Sequence, residues 1–242
     1  MNADVILLAH FREDTEVGLY RGAVMLLSLI TIVAETLSTG VFPRMARLIG
    51  QPGQAGEELH FVSRVMLAFS LPAATGGFLL ATPLLIFIGG ADFAGSAPLF
   101  KIMIFLIPFR FLSNCYGMTL SALDQQSDRT RGALLAAVFN LAVNAWALPH
   151  YGAVGAATTT LCTEILLFCW MQWRVSSVVE GLRLDRILLQ TGIPALCMGI
   201  FLFFLPSLHV LIAIGLGGMV FAGIGYGTGA WNRKDFSRLR KV

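Results

Sequence analysis

The chain has 242 residues, of which 56% are hydrophobic and only 13% charged, with a formal net charge of +3. A soluble domain carries about a quarter charged residues, so this balance, with a mean hydropathy of +0.75, excludes a soluble globular domain. The length is better counted in membrane spans of about 20 residues each.

Apolar segments follow one another along the chain at roughly Val17–Val41, Phe61–Gly89, Ala97–Leu120, Gly132–Leu148, Val154–Trp173, Ile187–Leu205 and Val210–Ala230. In lipid every backbone amide must be satisfied within its own segment, so these read as helices in spite of their Gly and Pro residues. The expected fold is an all-α polytopic membrane helix bundle with about seven full transmembrane helices. Pro72, Pro83, Pro108 and Pro194 are expected to kink helices or to mark their ends.

The basic residues alternate between the connections. Arg44, Arg47 and Arg64 follow the first span, Arg129 and Arg131 the third, and Arg174, Arg183 and Arg186 the fifth; Arg233, Lys234, Arg238, Arg240 and Lys241 follow the seventh. Together they are most of the chain's 17 Lys and Arg residues, all on one side. Cytoplasmic loops retain Lys and Arg, so this side, with the C-terminus, is expected in the cytoplasm and Arg12 to Arg21 outside.

Met1 to Phe11 is too short to span and has neither a basic n-region nor a small-residue cleavage site, which argues against a signal peptide. It reads as the last turns of a helix that begins earlier. The expectation is therefore either a fragment or a truncated product that depends on a separate N-terminal half.

Several motifs fall in a fixed order. The opening DVILLAHFREDTEVGLYRGAVMLL, from Asp4, has an Asp, an apolar run, a short polar loop and V-G-x-Y. The first span ends in Val41-Phe42-Pro43-Arg44-Met45-Ala46-Arg47-Leu48, and the second in Phe87-Ile88-Gly89-Gly90-Ala91-Asp92-Phe93 followed by Ser96-Ala97. Asn140 and Asn144 precede Pro149-His150-Tyr151-Gly152-Ala153-Val154-Gly155-Ala156-Ala157, then Thr160 and Glu164. In order and spacing this resembles the polysaccharide and lipid-linked oligosaccharide flippases, of O-antigen flippase type, in the multidrug/oligosaccharidyl-lipid/polysaccharide exporter superfamily.

The resemblance implies one lobe of a two-lobe flippase: residues 1–12 as the end of helix seven, then helices eight to fourteen. Residues 60–176 are similar to the polysaccharide-synthesis C-terminal region, 186–230 form the final helix pair and 231–242 a basic cytoplasmic tail. It implies a multi-pass protein of the bacterial inner membrane that turns over a lipid-linked oligosaccharide, of polyprenyl pyrophosphate type, by alternating access. It also implies membrane lipid and a possible separate N-terminal lobe as partners, no nucleic acid, no cofactor and no enzymatic activity. The rival within the superfamily is a lobe of a cation-coupled drug antiporter; outside transport, it is a remnant or assembly partner.

Read without the family, polar side chains buried in hydrocarbon face another helix, a cavity or a water path. Glu35, Arg110 and Glu164 are the ionisable residues of this kind, and Arg110, Asn114, Gly117 and Ser121 recur at helical spacing on one face. A path for a pyrophosphate-linked sugar needs a fixed cation and hydrogen-bonding groups, and arginine's planar fork suits phosphates. The substrate-path candidates are thus Arg110, Asn114, Asn140, Asn144, Glu164 and Glu35. The other reading has Asn140, Asn144 and Glu164 joining two helices of a hairpin, and Arg110 in a buried ion pair with Glu35 or Glu164. Gly155, Ala156 and Ala157 read as a close-packing surface.

Cys115, Cys162, Cys169 and Cys197 lack any C-x-x-C spacing and read as small packing residues, and His10, His60, His150 and His209 form no metal motif. Asp124 and Asp128 read as a solvated turn with Arg129 and Arg131. The chain has no phosphate-binding G-x-x-x-x-G-K-[ST] loop, so its energy coupling is not by bound ATP. The short, nearly uncharged external connections after the first span argue against a lipid-linked-sugar polymerase or acyltransferase.

Overall fold

The structure is a computed structural model that describes residues 2–205 and 209–230. The basic residues from Arg233 to Lys241, and Pro206 in the connection to His209, lie outside the described residues.

The chain runs α1 (Asn2–Phe11), α2 (Asp14–Thr39), α3 (Val41–Ala46), α4 (Pro52–Leu79), α5 (Ala81–Gly89), a 3-10 turn (Ala91–Ser96), α6 (Ala97–Met103), α7 (Leu106–Ala122), α8 (Gln126–Val178), α9 (Leu184–Phe203) and α10 (Val210–Thr228). Five helical stretches are long and apolar enough to cross a membrane, and the pair 91–103 and 106–122, bent by 54°, makes a sixth span. A seventh appears because α8 is two helices: Gly152, at φ 56° and ψ −137°, leaves the helical region and turns the chain back.

The register of that turn is fixed by contacts between its arms, 126–151 and 153–178. Asn140 bonds Thr163, and near the open end Asp128 meets Trp170 and Arg174. Each pair is centred on the Gly152 turn, so the arms are antiparallel. The run Gly155, Ala156 and Ala157 is buried, and a Cβ on Gly155 would stand 2.7 Å from the Ala147 carbonyl of the other arm. Small residues let the two backbones approach this closely.

The expected spans are found with shifted ends. The second begins well before Phe61 and breaks at Leu80, with Pro83 in the first turn of α5; Pro108 likewise sits in the first turn of α7. A proline lacks the amide hydrogen that a helix's first turn leaves unbonded anyway, so it marks a start without loss. Pro72 and Pro194 lie inside α4 and α9.

The main core gathers α1 to α8 around Tyr20, Leu27, Met66, Phe100, Phe111 and Tyr116. The α9–α10 pair stands beside it, joined mainly to α4 through a small cluster of Ala68, Ala195, Met198, Leu202, Ala213 and Phe221. His209 caps α10 by accepting the Leu211 amide at 3.4 Å, and Gly229 ends it in the left-handed conformation at φ 80°. Outward faces carry Leu134, Leu141, Leu189, Leu196 and Phe203, the apolar cover that a hydrocarbon surround requires.

Candidate functional site

A polar seam runs through the lobe where α1, α2 and α7 meet the two arms of α8. At its centre Asp4, 3% exposed, accepts a hydrogen bond from Asn144 Nδ2 at 2.9 Å. Its other oxygen lies 3.3 Å from the Thr160 hydroxyl, which also reaches the Ala156 carbonyl at 2.9 Å. Tyr20 Oη stands 3.5 Å from the same hydroxyl. Asn144 further donates to Asn140 Oδ1 at 3.1 Å, and Asn140 donates to Thr163 Oγ1 at 3.2 Å.

Two features of this cluster are chemically unusual. Among the described residues the side chains that bond the buried Asp4 carboxylate, Asn144 and Thr160, are neutral, and Asn144 Oδ1 is buried with no hydrogen-bond partner. An ionised carboxylate in low dielectric is costly without a counter-charge, and an orphaned buried acceptor adds to the cost. A proton on Asp4 removes the first cost, and a small hard cation shared by the Asp4 and Asn144 oxygens would remove both.

One turn along from Thr160, Glu164 receives the Arg110 guanidinium: Nε donates to Glu164 Oε1 at 3.0 Å and Nη2 bonds the same oxygen. Both side chains are largely buried, 18% and 12% exposed. Of the two carboxylates offered by the sequence, the structure therefore pairs Arg110 with Glu164. Glu35 is exposed on α2 and, among the described residues, has no ion-pair partner. Asn114 is half-buried one turn from Arg110, with no side-chain hydrogen bond among the described residues. Gly117 and Ser121 continue the stripe toward Arg129, whose Nη1 donates to Ser121 Oγ at 3.1 Å.

The turn at Gly152 is closed from outside. Glu16 Oε1 accepts the Ala153 amide at 2.6 Å, and Arg12 Nη2 donates to the Pro149 carbonyl at 3.2 Å. The carboxylate thus sits at the start of the second arm and the guanidinium at the end of the first, each complementing the partial charge of that helix terminus. Sequence reading used Arg12 only for orientation and passed over Glu16. Their signal was a pair of opposite charges four apart beside the V-G-x-Y motif. Asp4 was read only as the first residue of the opening motif and not as a site residue, because its segment is too short to span, although an ionisable residue beside an apolar run was itself the signal.

At the other end the expectation of a solvated turn is corrected for Asp128. It is 4% exposed, pairs with Arg174 of the second arm and with Arg131 at 3.3 Å, and its carbonyl accepts from Trp170 Nε1 at 2.9 Å. Burial follows because the two guanidiniums and the indole close over it. Asp124 keeps the expected role, exposed and at φ 60° in the turn itself. Of the cysteines only Cys115 is buried; Cys162 and Cys169 are exposed on α8, not packed in the core. Among the described residues no group of three or more His, Cys, Asp or Glu side chains could hold a metal ion.

Apolar spans enclosing a buried polar seam define a multi-pass, all-α membrane protein. The MatE family model matches residues 1–146, and the chain belongs to that family. This agrees with the exporter superfamily that the motifs suggested. An uncharacterized membrane protein of Methanocaldococcus jannaschii is 22% identical over 231 residues, 91% of this chain and 45% of its own length. A probable low-salt glycan biosynthesis flippase, Agl15, of Haloferax volcanii is 22% identical over 162 residues, 65% of this chain and 34% of its own. Among solved structures, the lipid II flippase MurJ in an inward closed conformation shares the fold with a TM-score of 0.79 at 17% identity, over 91% of this chain and 48% of that one. The chain thus spans about half the length, or less, of the relatives it matches.

Proposed function

We propose that this chain is one lobe of a flippase that turns lipid-linked oligosaccharide or polysaccharide repeat units across the membrane by alternating access. It acts together with a second helical lobe, from a separate or longer polypeptide, and not as an enzyme. The observation that carries this reading is the fold held in common, over nearly the whole chain, with half of a lipid II flippase. Similarity to a probable glycan biosynthesis flippase adds support.

In this reading the protein sits in the cytoplasmic membrane, the inner membrane of a bacterium, with the Arg44 and Arg174 end and the C-terminus in the cytoplasm. Its substrate class includes O-antigen and lipopolysaccharide precursors. Asp4, Asn140, Asn144 and Thr160 take up the proton or small cation whose binding favours one lobe conformation. Arg110 and Glu164, one turn away, form the ion pair that responds, while Asn114 and the exposed Glu35 offer polar groups to the substrate or the second lobe.

The test is reconstitution with a fluorescent polyprenyl-pyrophosphate oligosaccharide, read by quenching of label that has crossed the bilayer. We expect no turnover from the 242-residue chain as a monomer, turnover once a complementary lobe is supplied, and slower turnover with Arg110→Gln. Turnover by the monomer would remove the need for a second lobe. Failure with every lipid-linked saccharide, with a complementary lobe present and folded, would overturn the flippase reading.

A further inference from the structure

A cavity of about 620 Å³ opens at the basic end of the lobe, away from the polar seam. Its walls come from the start of α4, the 179–183 connection and α9, and they include His60, Arg64, Arg183, Arg186, Gln190 and the backbone of Gly53. Three arginines thus line it with two glutamates, Glu57 and Glu180.

The packing that makes the cavity is specific. A Cβ on Gly56 would fall 1.8 Å from the Glu180 carbonyl, so α4 and the connection touch through bare backbone. Opposite, Thr228 donates to the Gln190 carbonyl at 2.9 Å and Arg64 to the Gly229 carbonyl at 3.3 Å, tying the end of α10 to α9 and α4. Two helices begin at its rim, and neither N-cap, Gln51 or Arg183, gives a side-chain hydrogen bond to the free amides of its first turn. Amide donors, the positive ends of two helices and arginine forks are what a phosphate group needs.

We propose that this cavity binds a phosphodiester, the chemistry of an anionic glycerophospholipid headgroup from the basic-side leaflet. Its place favours a lipid over a free phosphate. Leu188 and Leu189 of α9 lie next to Arg186 and Gln190 and are 45% and 63% exposed, so acyl chains can lie against α9 while the headgroup enters. A basic cluster at a membrane surface gains about 1 kcal/mol per Arg toward anionic lipid.

The experiment is native mass spectrometry of the chain released from nanodiscs of phosphatidylglycerol or of phosphatidylcholine, with thermal melting in detergent as second readout. The variants are Arg183→Gln with Arg186→Gln, both exposed, and Arg47→Gln as an exposed basic control outside the cavity. We expect wild type and the control to retain one phosphatidylglycerol, and the double variant to hold it roughly 30-fold more weakly, as the loss of two such contacts implies. Equal retention by all three, or equal retention of phosphatidylcholine, overturns the site. Stabilisation by inorganic phosphate or glycerol phosphate that needs Arg183 and Arg186, with no lipid retained, upholds the phosphate chemistry and overturns the lipid source. Neither readout depends on transport.

Discussion

Glu16 of α2 reaches the amide of Ala153 on the second arm of α8, closing a gap of 137 residues with a 2.6 Å hydrogen bond. Its carboxylate fills the place where any side chain at position 152 would lie: a Cβ on Gly152 would stand 2.1 Å from Glu16 Oε1, on backbone already at φ 56°. Gly152→Ala is therefore expected to displace Glu16 and strain the turn, at a cost of about 1–3 kcal/mol. Glu16→Gln keeps an acceptor, and since the Arg12–Glu16 pair is about one-third exposed it should cost only a few tenths of a kcal/mol. Melting temperatures in one detergent would check the order; a Glu16→Gln loss equal to that of Gly152→Ala would contradict it.

The Arg110–Glu164 pair should behave as a unit. Removing Arg110 leaves the Glu164 carboxylate buried without its guanidinium, so Arg110→Met is expected to cost about 3 kcal/mol or more, and Arg110→Met with Glu164→Leu to recover much of that loss. A double-mutant cycle by reversible denaturation measures the coupling, and additive losses would show that the two side chains do not stabilise each other.

Asp4 is expected to make the stability of the lobe depend on small cations or protons. If its carboxylate and Asn144 Oδ1 share a cation, wild-type protein should melt higher in sodium or at low pH than in choline at neutral pH. Asp4→Asn, which needs no counter-charge, should lose that difference while staying folded by circular dichroism. A difference retained in Asp4→Asn would place the cation elsewhere.

Asp128 ties the open ends of the α8 arms together, so Asp128→Asn is expected to lose about 2 kcal/mol through weakened charge-assisted bonds to Arg174 and Arg131. Trp170 bonds the Asp128 backbone carbonyl and not its side chain. Its fluorescence should therefore stay close to wild type, and a large shift would mean that the hairpin had opened.

The spans were legible because hydrocarbon length and apolar runs dictate each other. The α8 hairpin was legible from Asn140, Asn144 and the Gly152 turn. What composition could not convey was the partner of each polar group. Arg110 had Glu35 and Glu164 available on equal terms, and only the packing of α7 against the second arm selects Glu164. Asp128 read as solvated because its neighbours in sequence are polar, yet its cover, Arg174 and Trp170, lies more than forty residues on. Asp4 entered the centre of the seam because α1 packs along α8, a relationship between segments about 140 residues apart that no local pattern encodes.

The attachment of α9 and α10 chiefly to one helix, α4, bears on how the chain is built. The first eight helices build the main core with Ile187 from α9, whereas the last two otherwise meet them chiefly at α4, through the cluster around Ala68 and Met198 and the ties at Gln190 and Gly229. A ribosome delivering this chain therefore completes most of the main core before the final pair emerges. The pair then docks as a late addition, and mechanical pulling from the C-terminal end should peel it off as a separate event before the rest gives way.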